Sequence, residues 1–212
     1  MENGFEGFRK LYKMICDANW VNSLDLPNFK FYQLNPNIMS KSEILQKLSD
    51  GFSLVGETII NIEKESFFLR KDNKWSAAEN IKHLTLSVNP LNMAFSLPNF
   101  TLLFFGKLNR PAKNYAEITA KYYQKLAEGA VATPQFIPEE INVDANKEDL
   151  IQEFKKTNDK FLKKIDSFEE EDLDKYLIPH PVLGKLTIRE MLYFTICHTL
   201  HHHKAIISQT SL

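Results

Sequence analysis

Three copies of one four-residue pattern decide how most of this chain folds. Ser40-Lys41-Ser42-Glu43, Ser76-Ala77-Ala78-Glu79 and Thr187-Ile188-Arg189-Glu190 each place a hydroxyl three residues before a glutamate. In that spacing each side chain bonds the other residue's free backbone N–H, closing the capping box that starts an α-helix. Met39 with Ile44 and Leu186 with Met191 add an apolar staple across two of these starts. Asn114 before Glu117 and Asn146 before Asp149 are weaker starts of the same kind.

Apolar residues recur at helical spacing behind each start. Ile44, Leu45, Leu48, Phe52, Val55, Ile59 and Ile62 predict a helix from Lys41 to Lys64. Ile81, Leu84, Val88 and Leu91 predict a second from Ala77 to Ser96, kinked or divided at Pro90. Tyr115 to Glu128 reads as a shorter helix, Lys147 to Ile165 as a long one, and Ile188 to Ser208 as the last. Pro134 and Pro138 mark a long loop, and Pro179, Pro181 and Gly184 mark a turn before the last helix. The expected fold is all-α: a four-helix bundle over residues 40–209. A long connection, 97–141, joins its second and third helices. Residues 1–39, with Phe5, Phe8, Leu11, Tyr12 and Ile15 in a short amphipathic segment, read as an extension packed on the bundle.

Charge narrows the function classes. Lys plus Arg is 26 and Asp plus Glu is 27, and Lys outnumbers Arg by 22 to 4. A near-neutral chain poor in arginine lacks the footprint of a phosphate-reading surface, so no nucleic-acid partner is expected. The most apolar stretch, Met93 to Gly106, is broken by Pro98 and Asn99 and falls short of the about 18 residues that span a bilayer. The first residues carry no secretory pattern. A cytoplasmic protein without membrane contact is expected. Two cysteines, Cys16 and Cys197, exclude a disulfide scaffold and a cysteine-rich zinc module.

Histidine is unevenly spread: four of the six lie between His198 and His203. At about 100° per residue, with His198 at zero, His202 falls near 40°, inside a stripe formed by Met191, Thr195, Ile188 and Ile206. His201 and His203 fall near 300° and 140°, on opposite flanks, and Cys197 near 260°, where it reads as a structural thiol. His198 and His202, one turn apart, can converge on one metal ion. Equally, they can be core-edge histidines bonded to neighbours or water. Third-ligand candidates are His83 and His180. Periodicity puts His83 on the flank of its helix, and His180, before Pro181, reads as a surface loop residue. Glu79, one turn before His83, is an acid–base candidate, although its capping box with Ser76 already explains it.

Three segments together resemble the DinB-like superfamily of metal-binding four-helix bundles, which includes bacillithiol- and mycothiol-dependent S-transferase-like proteins. Lys74-Trp75-Ser76-Ala77-Ala78-Glu79-Asn80-Ile81-Lys82-His83-Leu84 is similar to the family's W-S-x-x-E-x-x-x-H-L signature. His180-Pro181-Val182-Leu183-Gly184-Lys185-Leu186-Thr187-Ile188-Arg189-Glu190 is similar to its H-P-x-x-G-x-L-T-x-R-E turn. His198-Thr199-Leu200-His201-His202 is similar to its H-x-x-x-H pair. The resemblance implies a metal triad of His83, His198 and His202 holding a divalent ion, zinc or nickel. It implies activation of water or a low-molecular-weight thiol, for hydrolysis or S-transfer on a small-molecule substrate. His201 and Glu79 are the nearest candidates for a general base. The competing expectation is a bundle that binds metal or a small molecule without turnover. A homodimer through the Phe-rich stretch Phe100 to Phe105 is expected. The family's Arg-Gly-Gln-like stretch is replaced by His203-Lys204-Ala205-Ile206, which leaves substrate identity open.

Overall fold

A computed structural model describes residues 38–210. The extension expected over residues 1–39, with its amphipathic segment, lies almost wholly outside the described residues. All three capping boxes form. Ser40 starts α1 (Lys41–Ile60), Ser76 starts α3 (Ala77–Ala94) and Thr187 starts α6 (Ile188–Thr210). At the last, the Thr187 hydroxyl accepts from the Glu190 amide at 3.1 Å, and the Glu190 carboxylate accepts from the Thr187 amide at 3.0 Å. Asn114 and Asn146 cap α4 (Tyr115–Ala127) and α5 (Lys147–Asp166), the first with a full box to Glu117. A one-turn helix α2 (Lys64–Phe68) follows α1, whose predicted end at Lys64 is four residues too late. The chain leaves α1 at Asn61 and buries Phe67 and Phe68 from this separate turn. Helix α3 continues through Pro90 to Ala94.

Helices α1, α3, α5 and α6 form the bundle. Helix α1 packs on α5 and α6, and α3 packs on the same two. Helices that follow one another in the chain, α1 then α3 and α5 then α6, therefore stand across the diagonal. Helix α4 lies outside, against α6. Apolar residues from all four fill the centre, among them Ile44, Val55, Ile81, Phe161, Ile165 and Ile206, each 0% exposed. Phe161 sits between Phe52 and Phe95, with ring centroids 6.5 and 6.0 Å away. Truncating such a ring costs about 3–5 kcal/mol.

The proline-bearing turn before α6 is a two-stranded hairpin, β1 (Leu177–His180) against β2 (Gly184–Thr187). Its register pairs Leu177 with Thr187 and His180 with Gly184. Gly184 adopts φ +78°, a conformation that suits glycine at the foot of a tight reversal. The strands are too short, and too interrupted by Pro179, to show alternation in the sequence. The hairpin runs directly into α6, whose second residue, Arg189, is buried. Its guanidinium donates to the Met39 carbonyl and to Asp174, while the Tyr193 hydroxyl accepts from the Met39 amide at 2.8 Å. These contacts hold the entrance of α1 against the first turn of α6.

Candidate metal centre

Two helices carry the histidines. His83 projects from the second turn of α3, and His198 and His202 from the middle of α6. All three are buried, at 5%, 6% and 7% exposure, and one nitrogen of each lies within 4.8 Å of the others. Their ring centroids stand 4.5 to 5.0 Å apart. The flank position that periodicity gives His83 is therefore misleading. Helix α3 is buried on nearly all sides of its first two turns, Ala77 to Leu84, so an apolar stripe does not mark its inward face.

The protein fixes the orientation of two rings. His83 Nδ1 lies 2.6 Å from the Phe136 carbonyl, an acceptor, so the proton sits on Nδ1 and the Nε2 lone pair is free. His202 Nδ1 lies 2.7 Å from Asn80 Oδ1. The Asn80 amide cannot be turned over, because its Nδ2 donates to the Trp75 and Ser76 carbonyls at 3.0 and 2.8 Å. His202 therefore also carries its proton on Nδ1 and offers Nε2. Trp75 stacks on His202 at 18° and Phe194 on His198 at 21°, closing the flanks of the cluster.

His83 Nε2 faces His198 Nε2 at 3.0 Å. Two lone pairs at that distance repel, so either His198 donates a proton to His83 or a cation lies between them. A tetrahedral ion with bonds of about 2.05 Å separates its ligand nitrogens by about 3.3 Å, so ring shifts of about an ångström would bring the set to bonding distance. Burial pushes all three histidines below the usual imidazole range, His198 and His202 well below; the neighbouring histidines add to this at His198 and His202, and at His83 burial outweighs the opposing hydrogen bond to the Phe136 carbonyl. Neutral rings are the form that binds a metal. The donor set, its protonation and its outer hydrogen bonds thus fit a divalent ion, and three nitrogens suit zinc and nickel alike.

The remaining candidates are placed as follows. His201 is half-buried, 5.0 Å from the His202 ring and against Tyr122 and Tyr123, and it lines the cavity above the triad. His203 turns away to the Thr58 hydroxyl on α1, 2.9 Å distant. Glu79 is fully buried, with its carboxylate taken up by the Ser76 amide, the Ser76 hydroxyl and the Arg70 guanidinium. Burial raises its pKa, but Arg70 and Ser76 together outweigh this and hold it below the usual carboxylate range. It does not line the cavity. Cys197 donates to the Phe194 carbonyl, and burial pushes its thiol up to about 12, the behaviour of a structural cysteine.

His180 departs from its reading as a surface loop residue. The hairpin folds it back to 4.2 Å from Phe194, and it lines the cavity. Its Nδ1 accepts from the Val182 and Leu183 amides at 3.1 and 3.0 Å, which leaves the proton on Nε2. Burial pushes its pKa down to about 4, so it stays neutral at ordinary pH. The H-P-x-x-G spacing is the signal for this residue, because it dictates a reversal that returns the histidine to the start of α6.

The cavity holds about 250 Å³. The triad forms its base. Trp75, Leu84, Val88, Tyr122 and Phe194 form its walls, and residues 130–133 and 179–182 contribute the rest of the lining.

Comparison with known proteins supports the fold. Among solved structures the chain is similar to YfiT from Bacillus subtilis, a probable metal-dependent hydrolase with an unusual four-helix bundle topology. The TM-score is 0.53 at 14% identity, over 90% of this chain and 92% of that one. It also aligns with the colibactin self-resistance protein ClbS, whose structure is a complex with double-stranded DNA. That alignment has a TM-score of 0.44 at 14% identity over 80% of this chain and 94% of that one, too loose to bear on partners. No curated protein sequence matches. No helix among the described residues is long and apolar enough to cross a membrane. The sequence matches the DinB superfamily across residues 33–206, and the chain belongs to that family.

Proposed function

We propose that this protein is a metal-dependent hydrolase in which His83, His198 and His202 hold one divalent ion, zinc or nickel, at the base of the cavity. The observation that carries the reading is the convergence of three buried, neutral imidazoles, two of them with their free Nε2 lone pairs set by outer hydrogen bonds. A divalent ion on three nitrogens acts as a Lewis acid and makes water a nucleophile near neutral pH. The description of YfiT as a probable metal-dependent hydrolase supports the same reaction class.

The chain's own residues supply the rest. His201, half-buried beside His202 and neutral, is placed to take a proton from the attacking water. His180, locked with its proton on Nε2, is placed to donate to an oxygen in the cavity. Trp75 and Phe194 cover the histidine rings and restrict water there.

Zinc- or nickel-loaded protein should show one metal per chain by elemental analysis and cleave at least one member of an ester, lactone and amide panel. His198→Ala should lose both properties. Stoichiometric metal with no turnover in any arm, including a low-molecular-weight thiol with a chlorinated electrophile, would leave the non-catalytic metal-binding bundle as the correct reading. That no carboxylate among the described residues lines the cavity favours that second reading.

A further inference from the structure

Among the described residues, the walls of the cavity carry no Asp, Glu, Lys or Arg. In a chain that is 25% charged, a lining without any of the four is a chemical statement. The polar residues among the walls are mostly spent. The Ser87 hydroxyl donates to the His83 carbonyl, Thr195 to Met191 and Thr199 to Thr195, each bonding its own helix. Thr133 Oγ1, near the start of the short turn at Pro134, is buried without a hydrogen-bond partner. Among the described residues, everything else in the lining apart from the histidines and the Tyr122 hydroxyl is aliphatic or aromatic.

From this we infer that the substrate presents to the cavity an uncharged, apolar body of one to two aromatic rings' size, with its reacting group at the histidine end. The inference rests on the metal-hydrolase reading only for where the reacting group lies. An apolar cavity of about 150 Å³ holds benzene, so about 250 Å³ accommodates a substituted aryl or branched acyl group. A carboxylate or ammonium lodged among these walls would lose its hydration with no opposite charge from a wall side chain to replace it. Low-molecular-weight thiols that carry carboxylates are therefore poor occupants, because among the described residues no Lys or Arg lines the cavity to receive them.

Two titrations test this. In the first, zinc-loaded protein is titrated calorimetrically with acetohydroxamate, benzohydroxamate and para-carboxybenzohydroxamate, which share one metal-anchoring group. Benzohydroxamate should bind at least tenfold tighter than acetohydroxamate, and the para-carboxylate should lose that gain. Equal affinity of the two aryl ligands, or no gain from the ring, overturns the inference. In the second, metal-stripped protein is titrated with benzyl alcohol and with para-(hydroxymethyl)benzoate, followed by ligand-observed NMR. Only the alcohol should bind, and Ala132→Trp, at the half-buried rim, should abolish its binding without changing zinc stoichiometry. If no hydroxamate binds the zinc-treated protein but the alcohol arm behaves as expected, the metal reading fails and the apolar cavity stands. If the benzoate binds as well as the alcohol, the cavity inference fails whatever the metal does.

Discussion

Replacing Asn80 separates what holds the candidate metal centre together from what holds the helix. Asn80 is 2% exposed and works in two directions. Its Oδ1 fixes the His202 tautomer, and its Nδ2 satisfies the Trp75 and Ser76 carbonyls. Asn80→Ala removes both functions. Loss of an outer partner to a metal-bound histidine weakens binding about 10- to 100-fold, equivalent to about 1.4–2.7 kcal/mol. The Ser76 carbonyl keeps the helical bond from the Asn80 amide, but the Trp75 carbonyl loses this donor, for a stability cost of about 1–2 kcal/mol without metal. Asn80→Asp splits the two effects. A carboxylate still accepts the His202 Nδ1 proton and raises the basicity of the ring, so affinity should match or exceed that of the parent. It cannot donate to the two carbonyls and repels them, so the metal-free protein should melt below Asn80→Ala. The assays are competition against a chromophoric chelator for zinc affinity and urea melts of stripped protein for stability. If Asn80→Asp and Asn80→Ala weaken zinc equally, or neither does, Asn80 does not orient a metal ligand.

Three further outcomes follow from other parts of the molecule. Burial raises the Glu190 carboxyl, but Arg110 and the amides of Lys113 and Thr187 together hold it below the usual carboxylate range. Its ionised pair therefore stabilises the fold fully above an unfolded pKa of about 4.3, and this is lost as pH falls through the lower folded value. Glu190→Gln should cost about 2 kcal/mol at pH 7 and flatten the acid limb of a urea-melt series; an unchanged limb would show that the pair is not what titrates. Cys197 should resist a thiol-specific chromogenic reagent in native protein and react only on unfolding, so prompt native reaction at this site would contradict its burial. Phe100, Leu103, Phe104 and Phe105 are all exposed, Phe104 at 89%, and four exposed apolar side chains within six residues predict self-association. Light scattering should give a dimer mass, and a monomer at micromolar concentration would remove that expectation.

The helices were legible because their starts are written in short-range chemistry. A side-chain oxygen three residues ahead of a glutamate can do little else so well, and Ser40, Ser76, Thr187 and Asn114 each cap where their spacing requires. Helix ends were less legible. Ile62 continues the apolar rhythm of α1, although the chain has already turned at Asn61 to bury Phe67 and Phe68. His198 and His202 stand out in the sequence because their four-residue spacing puts them one turn apart on one side of the helix, although α6 is buried all round from Ile188 to Leu200. His83 was not, because α3 is buried nearly all round there and polar residues such as Asn80 and Thr85 lie as deep as Ile81. Its place came from resemblance, and the geometry then brought it to the pair. His180 depended on a hairpin of two four-residue strands, which leaves no periodic trace.

The two capping glutamates of the ligand-bearing helices differ from the others in a way that bears on the centre itself. Glu43 and Glu117 close their boxes at partly or fully exposed positions, and no salt bridge among the described residues engages them. Glu79 and Glu190 are 0% exposed, and each is gripped by an arginine from outside its own helix, Arg70 and Arg110. Each arginine uses more than one nitrogen, a geometry lysine cannot reproduce, which gives this lysine-rich chain a specific use for half of its four arginines. The clamps fix the starts of α3 and α6, the helices that carry His83 and the His198–His202 pair. A candidate ligand set spread over two helices keeps its geometry only if neither helix slides along its axis or rotates. Glu79 therefore anchors the start of the helix that carries His83, one turn away. That role consumes all of its acceptor capacity and explains why the nearest carboxylate in sequence is unavailable as a base.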